Sequence, residues 1–285
     1  MFASGVAGDG VGLCIQFCLR GAGYIMTKIC YKVTTCIFPG FDTAILVFSM
    51  KISSSQTIPW HLQIFSRMKS NFVLKAVGIT IFMWTFFAGY IYLLKNPLFP
   101  VTTMPLTLLD SAVGFSPATL FLYVSLWLYV TLPPGLLATR GELIYYGTAV
   151  GILCVAGLTC FLFWPTAVPA ANIDWQQSFG FSMLKGVDAA GNACPSLHVA
   201  TAVFSAMWLN RVLLEVSAPR SLRIFNWIWC VGIVYSTLAT KQHVAVDMVA
   251  GALLGMLAGY LSLTQSALFA RQKPAPLKAA PGQEP

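Results

Sequence analysis

Ser236-Thr-Leu-Ala-Thr-Lys-Gln-His243-Val-Ala-Val-Asp247 sets seven polar or ionisable side chains into an otherwise apolar C-terminal third of the chain. Such groups are expensive among lipid unless they serve one another, so a cluster of this kind marks a task. On a helix, His243 and Asp247 lie four apart on one face, where the carboxylate reaches an imidazole nitrogen. A second cluster, Cys194-Pro195-Ser196-Leu197-His198, opens another apolar run about forty residues earlier. The architecture turns on whether the two clusters meet.

Of the 285 residues 57% are hydrophobic and only 9% charged, and the mean hydropathy is +0.75. Soluble domains carry roughly a quarter charged residues, so this composition reads as a polytopic membrane protein. The net charge of +8 comes without a basic face or a basic-aromatic platform, which argues against a nucleic-acid partner. Lys and Arg fall between apolar runs and read as topology signals. The eight cysteines form no CxxC pair, against a disulfide framework or a zinc site. The aromatic run Trp84 to Tyr92 reads as lipid-facing or belt residues.

A bilayer core of about 30 Å takes roughly 20 helical residues, and apolar runs of that length recur with short polar breaks. The expected fold is all-α, an integral membrane bundle with helices at about 73 to 94, 117 to 138, 143 to 164, 194 to 213, 225 to 242 and 244 to 267. Pro133-Pro134 ends the second early or kinks it. Residues 1–70 stay unassigned, either an interfacial segment or an extension upstream of a later start. Residues 71–268 form the six-helix domain, and the Pro- and Ala-rich 269–285 a disordered tail.

Counting Lys and Arg on the two sides of these spans gives eleven on one and three on the other, with three more in the unassigned region. The positive side is cytoplasmic, so both ends of the bundle lie there, in the plasma membrane or a bacterial inner membrane. His198 then begins the fourth helix and His243 and Asp247 the start of the sixth, each after an external connection. The two clusters therefore reach the same outer or periplasmic interface.

A neutral imidazole can attack phosphorus, with a carboxylate on its other nitrogen to fix the tautomer. His243 with Asp247 fits that pair, and His198 could protonate the departing oxygen. Lys241, Ser196, Ser236 and amides at the fourth helix N-terminus are candidate donors to the phosphate oxygens. The scheme requires no metal and no cofactor.

Pro195-Ser196-Leu197-His198, then Ser236 and His243-Val-Ala-Val-Asp247, resemble the second and third motifs of the type 2 phosphatidic acid phosphatase (PAP2) superfamily, Pro-Ser-x-His and Ser-Arg-x5-His-x3-Asp. The resemblance implies a six-helix membrane bundle with its site at the outer face. It implies a phosphohistidine on His243, supported by Asp247, with His198 as acid and Ser196 binding phosphate. Thr237 stands where the family has arginine, and the first motif, Lys-x6-Arg-Pro, has no match near Trp164 to Pro169. Lys241 and Lys185 are the available substitute cations. Leu197, where glycine is commoner, also resembles the inositol phosphorylceramide synthase branch.

Three functions follow as expectations. The first is a lipid phosphate or lipid pyrophosphate phosphohydrolase. The second, with the same site, is a phosphotransferase that passes a phospho-head group to an alcohol acceptor. The third is an inactive or non-enzymatic membrane protein that binds an anion or a lipid.

Overall fold

Apolar runs bounded by capping residues become the long helices of this chain in a computed structural model, which describes residues 14–19, 29–36, 45–52, 58–170 and 192–272, the last few by backbone alone. Two compact units result, one of 1–59 with 274–285 and one of Trp60–Lys273. In the first, β1 (Cys14–Leu19), β2 (Ile29–Cys36) and β3 (Ile45–Ile52) form an antiparallel sheet in that order. Register pairs Cys18 with Cys30 and Val33 with Phe48. Strands rich in Ile, Val, Thr, Tyr and Phe explain it. The chain is mostly helical, in keeping with the all-α expectation, which did not foresee this sheet.

In the second unit, α1 (Trp60–Lys69) is separated from α2 (Phe72–Lys95) by Asn71, left-handed at φ 52°. A capping box of Thr107 and Asp110 opens the short α3 (Leu108–Ala112). A 3-10 turn at Pro117–Thr119 leads into α4 (Leu120–Tyr129), and α5 (Leu132–Leu136) follows. Thr139 and Glu142 form the capping box of α6 (Arg140–Phe163). Ser196 caps α7 (Leu197–Glu215), Pro219 precedes α8 (Arg220–Ala239), and α9 is Ala245–Gln272.

Among the described residues five helices, α2, α6, α7, α8 and α9, are long and apolar enough to cross a membrane, which makes this a multi-pass membrane protein. The segment expected as one helix at 117–138 is instead two. Pro133 and Pro134 supply no amide to the preceding turn, so α4 stops at Tyr129 and the prolines sit in the first turn of α5. α9 also runs on to Gln272, past the expected end near 267.

α7 is the hub, with Val199, Phe204, Trp208 and Val212 fully buried. α9 runs parallel to it along Gly251, Gly255 and Gly259, which face Ser196, Ala200 and Met207 in that order. Glycines every fourth residue let the backbones approach closely, the usual route to tight helix pairing in lipid. Trp208 Nε1 adds a 3.0 Å hydrogen bond to Ser262 Oγ. Because the two helices run parallel, both N-termini stand at the same end of the bundle. Short strands β4 (Thr102–Thr103) and β5 (Thr166–Ala167) pair in parallel, and Asn192 bridges to Thr166.

At the other end Arg67 and Arg211 both hold Glu215, at 3.0 and 2.8 Å, and Arg211 lies 3.6 Å from Glu142. Inside, Tyr129 OH donates to Asn226 Oδ1 at 2.6 Å and Asn226 Nδ2 to Ala206 O at 3.0 Å, tying α4 to α8 and α8 to α7. Asn226→Leu removes both side-chain bonds and leaves the Tyr129 hydroxyl only its longer contact with the Asn226 backbone oxygen at 3.2 Å, and a buried bond of this kind contributes about 0.5–1.5 kcal/mol. The unfolding midpoint in detergent should fall clearly, and an unchanged midpoint would show the network to be energetically idle.

Candidate active site

His243 lies just before α9 because the chain reverses sharply there. Lys241 turns the backbone at φ 57°, and Thr237 O accepts from both Gln242 N (3.2 Å) and His243 N (3.1 Å). His243 is therefore not helical. It reaches forward from the turn to Asp247, on the first turn of α9, with Nδ1 at 2.8 Å from Oδ2. Asp247 is fully buried, its Oδ1 accepts from Met248 N, and its backbone oxygen accepts from Ser196 N at 3.0 Å. That last bond joins the two clusters directly.

His198, on the first turn of α7, brings Nδ1 to 3.2 Å from His243 Nε2, and its own Nε2 lies 3.0 Å from Tyr123 OH on α4. Four side chains thus form a continuous row. An ionised Asp247 can only accept, so His243 Nδ1 carries the proton and its Nε2 is a lone pair. His198 Nδ1 must then donate to that lone pair, leaving its Nε2 to accept from Tyr123. With both imidazoles neutral, every hydrogen bond in the row points toward Asp247.

The turn is braced by α3. Asp110 Oδ1 accepts from Ala245 N at 2.8 Å and so caps α9, while Oδ2 accepts from Thr107 N and Oγ1 at 2.7 and 2.8 Å. Burial opposes its charge, but the Thr107 and Ala245 hydrogen bonds and the Lys241 cation outweigh that and hold the carboxyl below its usual range. Lys241 Nζ donates to Asp110 O and Val113 O at 2.9 and 2.6 Å. Cys194 beside the site stays a thiol, since burial, with the Asp247 charge, pushes it up to about 11.

A cavity of about 820 Å³ lies between α2, α4, α6 and α7, with His198, Tyr123 and Leu197 on its wall. Its lining reaches from Leu74 to Tyr90 along α2, which at 1.5 Å per residue is about 24 Å. Phe87 of α2 and Trp127 of α4 meet with ring centroids 5.2 Å apart, and Trp127 lies 5.7 Å from His198. The aromatic run of α2 therefore divides: Trp84 and Tyr92 are exposed, whereas Phe86, Phe87 and Tyr90 line the cavity. Buried Asn192, also on the wall, donates from Nδ2 to Tyr90 O, and its Oδ1 has no partner among the described residues.

The structure therefore brings His198, His243 and Asp247 together. Ser196 is buried in the same cluster, its Oγ capping α7 by accepting from Val199 N at 3.3 Å. Ser236 turns back into α8, donating to Ile233 O, and Lys241 serves the α3 carbonyls. Lys185 lies outside the described residues. Tyr123 and Asp110 are absent from the residues that the motifs single out. Thr107-x-x-Asp110 does carry a capping signal, though nothing in it tells of a second helix capped by the same carboxylate.

No curated protein matches the chain. Residues 141–270, the stretch that holds both histidines and the aspartate, match a family model. That model describes the PAP2 superfamily, in general phosphatases and related phosphotransferases, and the match covers just under half of the chain.

Proposed function

We propose that the chain is a membrane-embedded phosphohydrolase that removes phosphate from a lipid phosphate or lipid pyrophosphate at the external face, through a phosphohistidine on His243. The observation that carries this reading is the row Asp247–His243–His198, which ends on the wall of a long apolar cavity. In the first step His243 Nε2 bonds to phosphorus as the bond from phosphorus to the leaving oxygen breaks. Asp247 offsets the charge that grows on the His243 ring, and the His198 Nδ1 proton passes to the leaving oxygen. In the second step water attacks phosphorus, the N–P bond breaks, and a water proton returns to His198.

The hydrophobic part of the substrate enters between α2 and α4, past Phe87 and Trp127, and lies in the cavity. Free amides in the first turn of α7, with the Ser196 hydroxyl, face the phosphate oxygens. Two of the three Lys241 ammonium protons go to carbonyls, so one remains for phosphate. The external face is supported by the basic residues. Arg67, Lys69, Lys75, Arg140, Arg211, Arg220 and Arg223 lie toward the end away from the site, and Lys95 and Lys241 at the site end.

An alcohol in place of water in the second step would make the same site a phosphotransferase. Leu197, the residue that resembles the inositol phosphorylceramide synthase branch, is buried against Gly157. Its bulk there is a packing matter.

The test is phosphate release by the purified protein from phosphatidic acid, phosphatidylglycerophosphate and an isoprenyl pyrophosphate in detergent, with a chelator present. Release from at least one lipid is expected. No release from any, with head-group transfer appearing once an alcohol acceptor is added, would replace the hydrolase by the transferase.

A further inference from the structure

The row of hydrogen bonds does not stop at the residues which the motifs name. Tyr123 comes from α4, outside the matched stretch 141–270. Its hydroxyl lies 3.0 Å from His198 Nε2, its ring centroid 5.0 Å from the imidazole, and it is 3% exposed. In the resting site His198 is held from both sides, by His243 Nε2 at Nδ1 and by Tyr123 at Nε2. Once His243 Nε2 turns to phosphorus, its hold on His198 is gone. A neutral imidazole then has two tautomers, and only one keeps the proton on the nitrogen that faces the reacting group.

We propose that Tyr123 is a positioning residue for this reaction: its hydroxyl, donating to His198 Nε2, keeps the His198 proton on Nδ1 and resupplies the ring when that proton leaves. The balance closes within the row. The Nδ1 proton goes to the leaving oxygen, the Tyr123 proton moves to Nε2, and the imidazole stays neutral beside a phenolate. When water attacks the phosphohistidine, its proton returns to Nδ1 and the Nε2 proton goes back to the phenolate. With a lipid alkyl phosphate the leaving alkoxide is a far stronger base than a phenolate, so the first transfer runs downhill; a pyrophosphate's leaving oxygen is a weaker base and does not call on the Tyr123 proton.

The kinetic part rests on the phosphohydrolase reading, and the tautomer part does not. For the kinetic part, Tyr123→Phe keeps the ring and removes only the hydroxyl. Expected for a lipid alkyl phosphate is a loss of about 10- to 100-fold in kcat with little change in KM. A 4-nitrophenyl phosphate leaving group needs little protonation, so its loss should be about tenfold smaller. Equal losses on both substrates would mark a merely structural side chain and overturn the proposal, as would wild-type rates on both.

For the tautomer part, the chain has three histidines, so nitrogen-15 NMR of histidine-labelled protein in detergent is tractable. The signal lost in His198→Ala identifies His198. Protonation at Nδ1 in the wild type is expected, with Nε2 protonation gaining ground in Tyr123→Phe. A wild-type His198 protonated at Nε2 would overturn the proposal whether or not any lipid is turned over.

Discussion

Replacing His243 by alanine removes the attacking lone pair, and phosphate release from the lipid substrate is expected to fall by about 10⁴-fold or more. A phosphoenzyme trapped at alkaline pH from labelled substrate should disappear with it, since no other imidazole occupies that place: His198 already spends both nitrogens, on His243 and on Tyr123. Asp247→Asn tests the same step with less disturbance. The amide keeps the size of the carboxylate but can donate to His243 Nδ1, which forces the proton to Nε2 and blocks the lone pair. A loss of about 10³- to 10⁴-fold with unchanged stability is expected from such a tautomer error. Trapped phosphoenzyme of wild-type yield in His243→Ala would place the covalent step elsewhere.

Gly251→Ala is the second large effect, and it reaches the site without touching a reacting group. A Cβ at this position would sit 2.3 Å from the Ser196 carbonyl oxygen and 3.1 Å from its carbon. A backbone carbonyl at the start of α7 has no rotamer through which to yield, so α9 must move away from α7. Overpacking of this kind costs about 1–3 kcal/mol. The same displacement stretches the bond from Ser196 N to Asp247 O and separates His198 from the His243–Asp247 pair. Thermal midpoint and phosphate release are both expected to drop. Gly141→Ala serves as the control, because its Cβ meets nothing within 4 Å and the site is far along α6. A variant of Gly251 that matched this control in both measurements would show that the close contact has slack.

The long helices were legible because their signals are local. Apolar runs set their places and lengths, whereas the capping residues Thr139 with Glu142, Ser196 and Pro219 put the starts at Arg140, Leu197 and Arg220, three to five residues from the expected ones. The meeting of His198 with His243 and Asp247 was legible through topology, since two clusters that follow connections on one side must share that side. Other features resisted for physical reasons. Pro133-Pro134 announced a break but not its form, a five-residue helix after Tyr129. Tyr123 is one aromatic in a run of apolar neighbours, and its bond to His198 spans 75 residues. Asp110 explains itself locally as a capping partner, which hides its second bond to Ala245. His243 was read on a helical face, whereas a left-handed Lys241 places it in a turn. The strands Cys14–Leu19, Ile29–Cys36 and Ile45–Ile52 lie in a tract whose interrupted hydropathy suits neither a span nor an obvious hairpin.

The cavity between α2, α4, α6 and α7 has a thermodynamic consequence for how such an enzyme would be measured. Its lining along about 24 Å of α2 is apolar but for Lys75, so for a cavity open to a bilayer the hydrocarbon tails of neighbouring lipids, as apolar as its walls, are the natural filling. A substrate tail that enters must evict another tail of nearly equal cohesion, so the exchange yields little net free energy. Discrimination then falls on the few polar contacts at the head group. Apparent affinity becomes a competition at the membrane, set by the mole fraction of substrate among the lipids and not by its concentration in the tube.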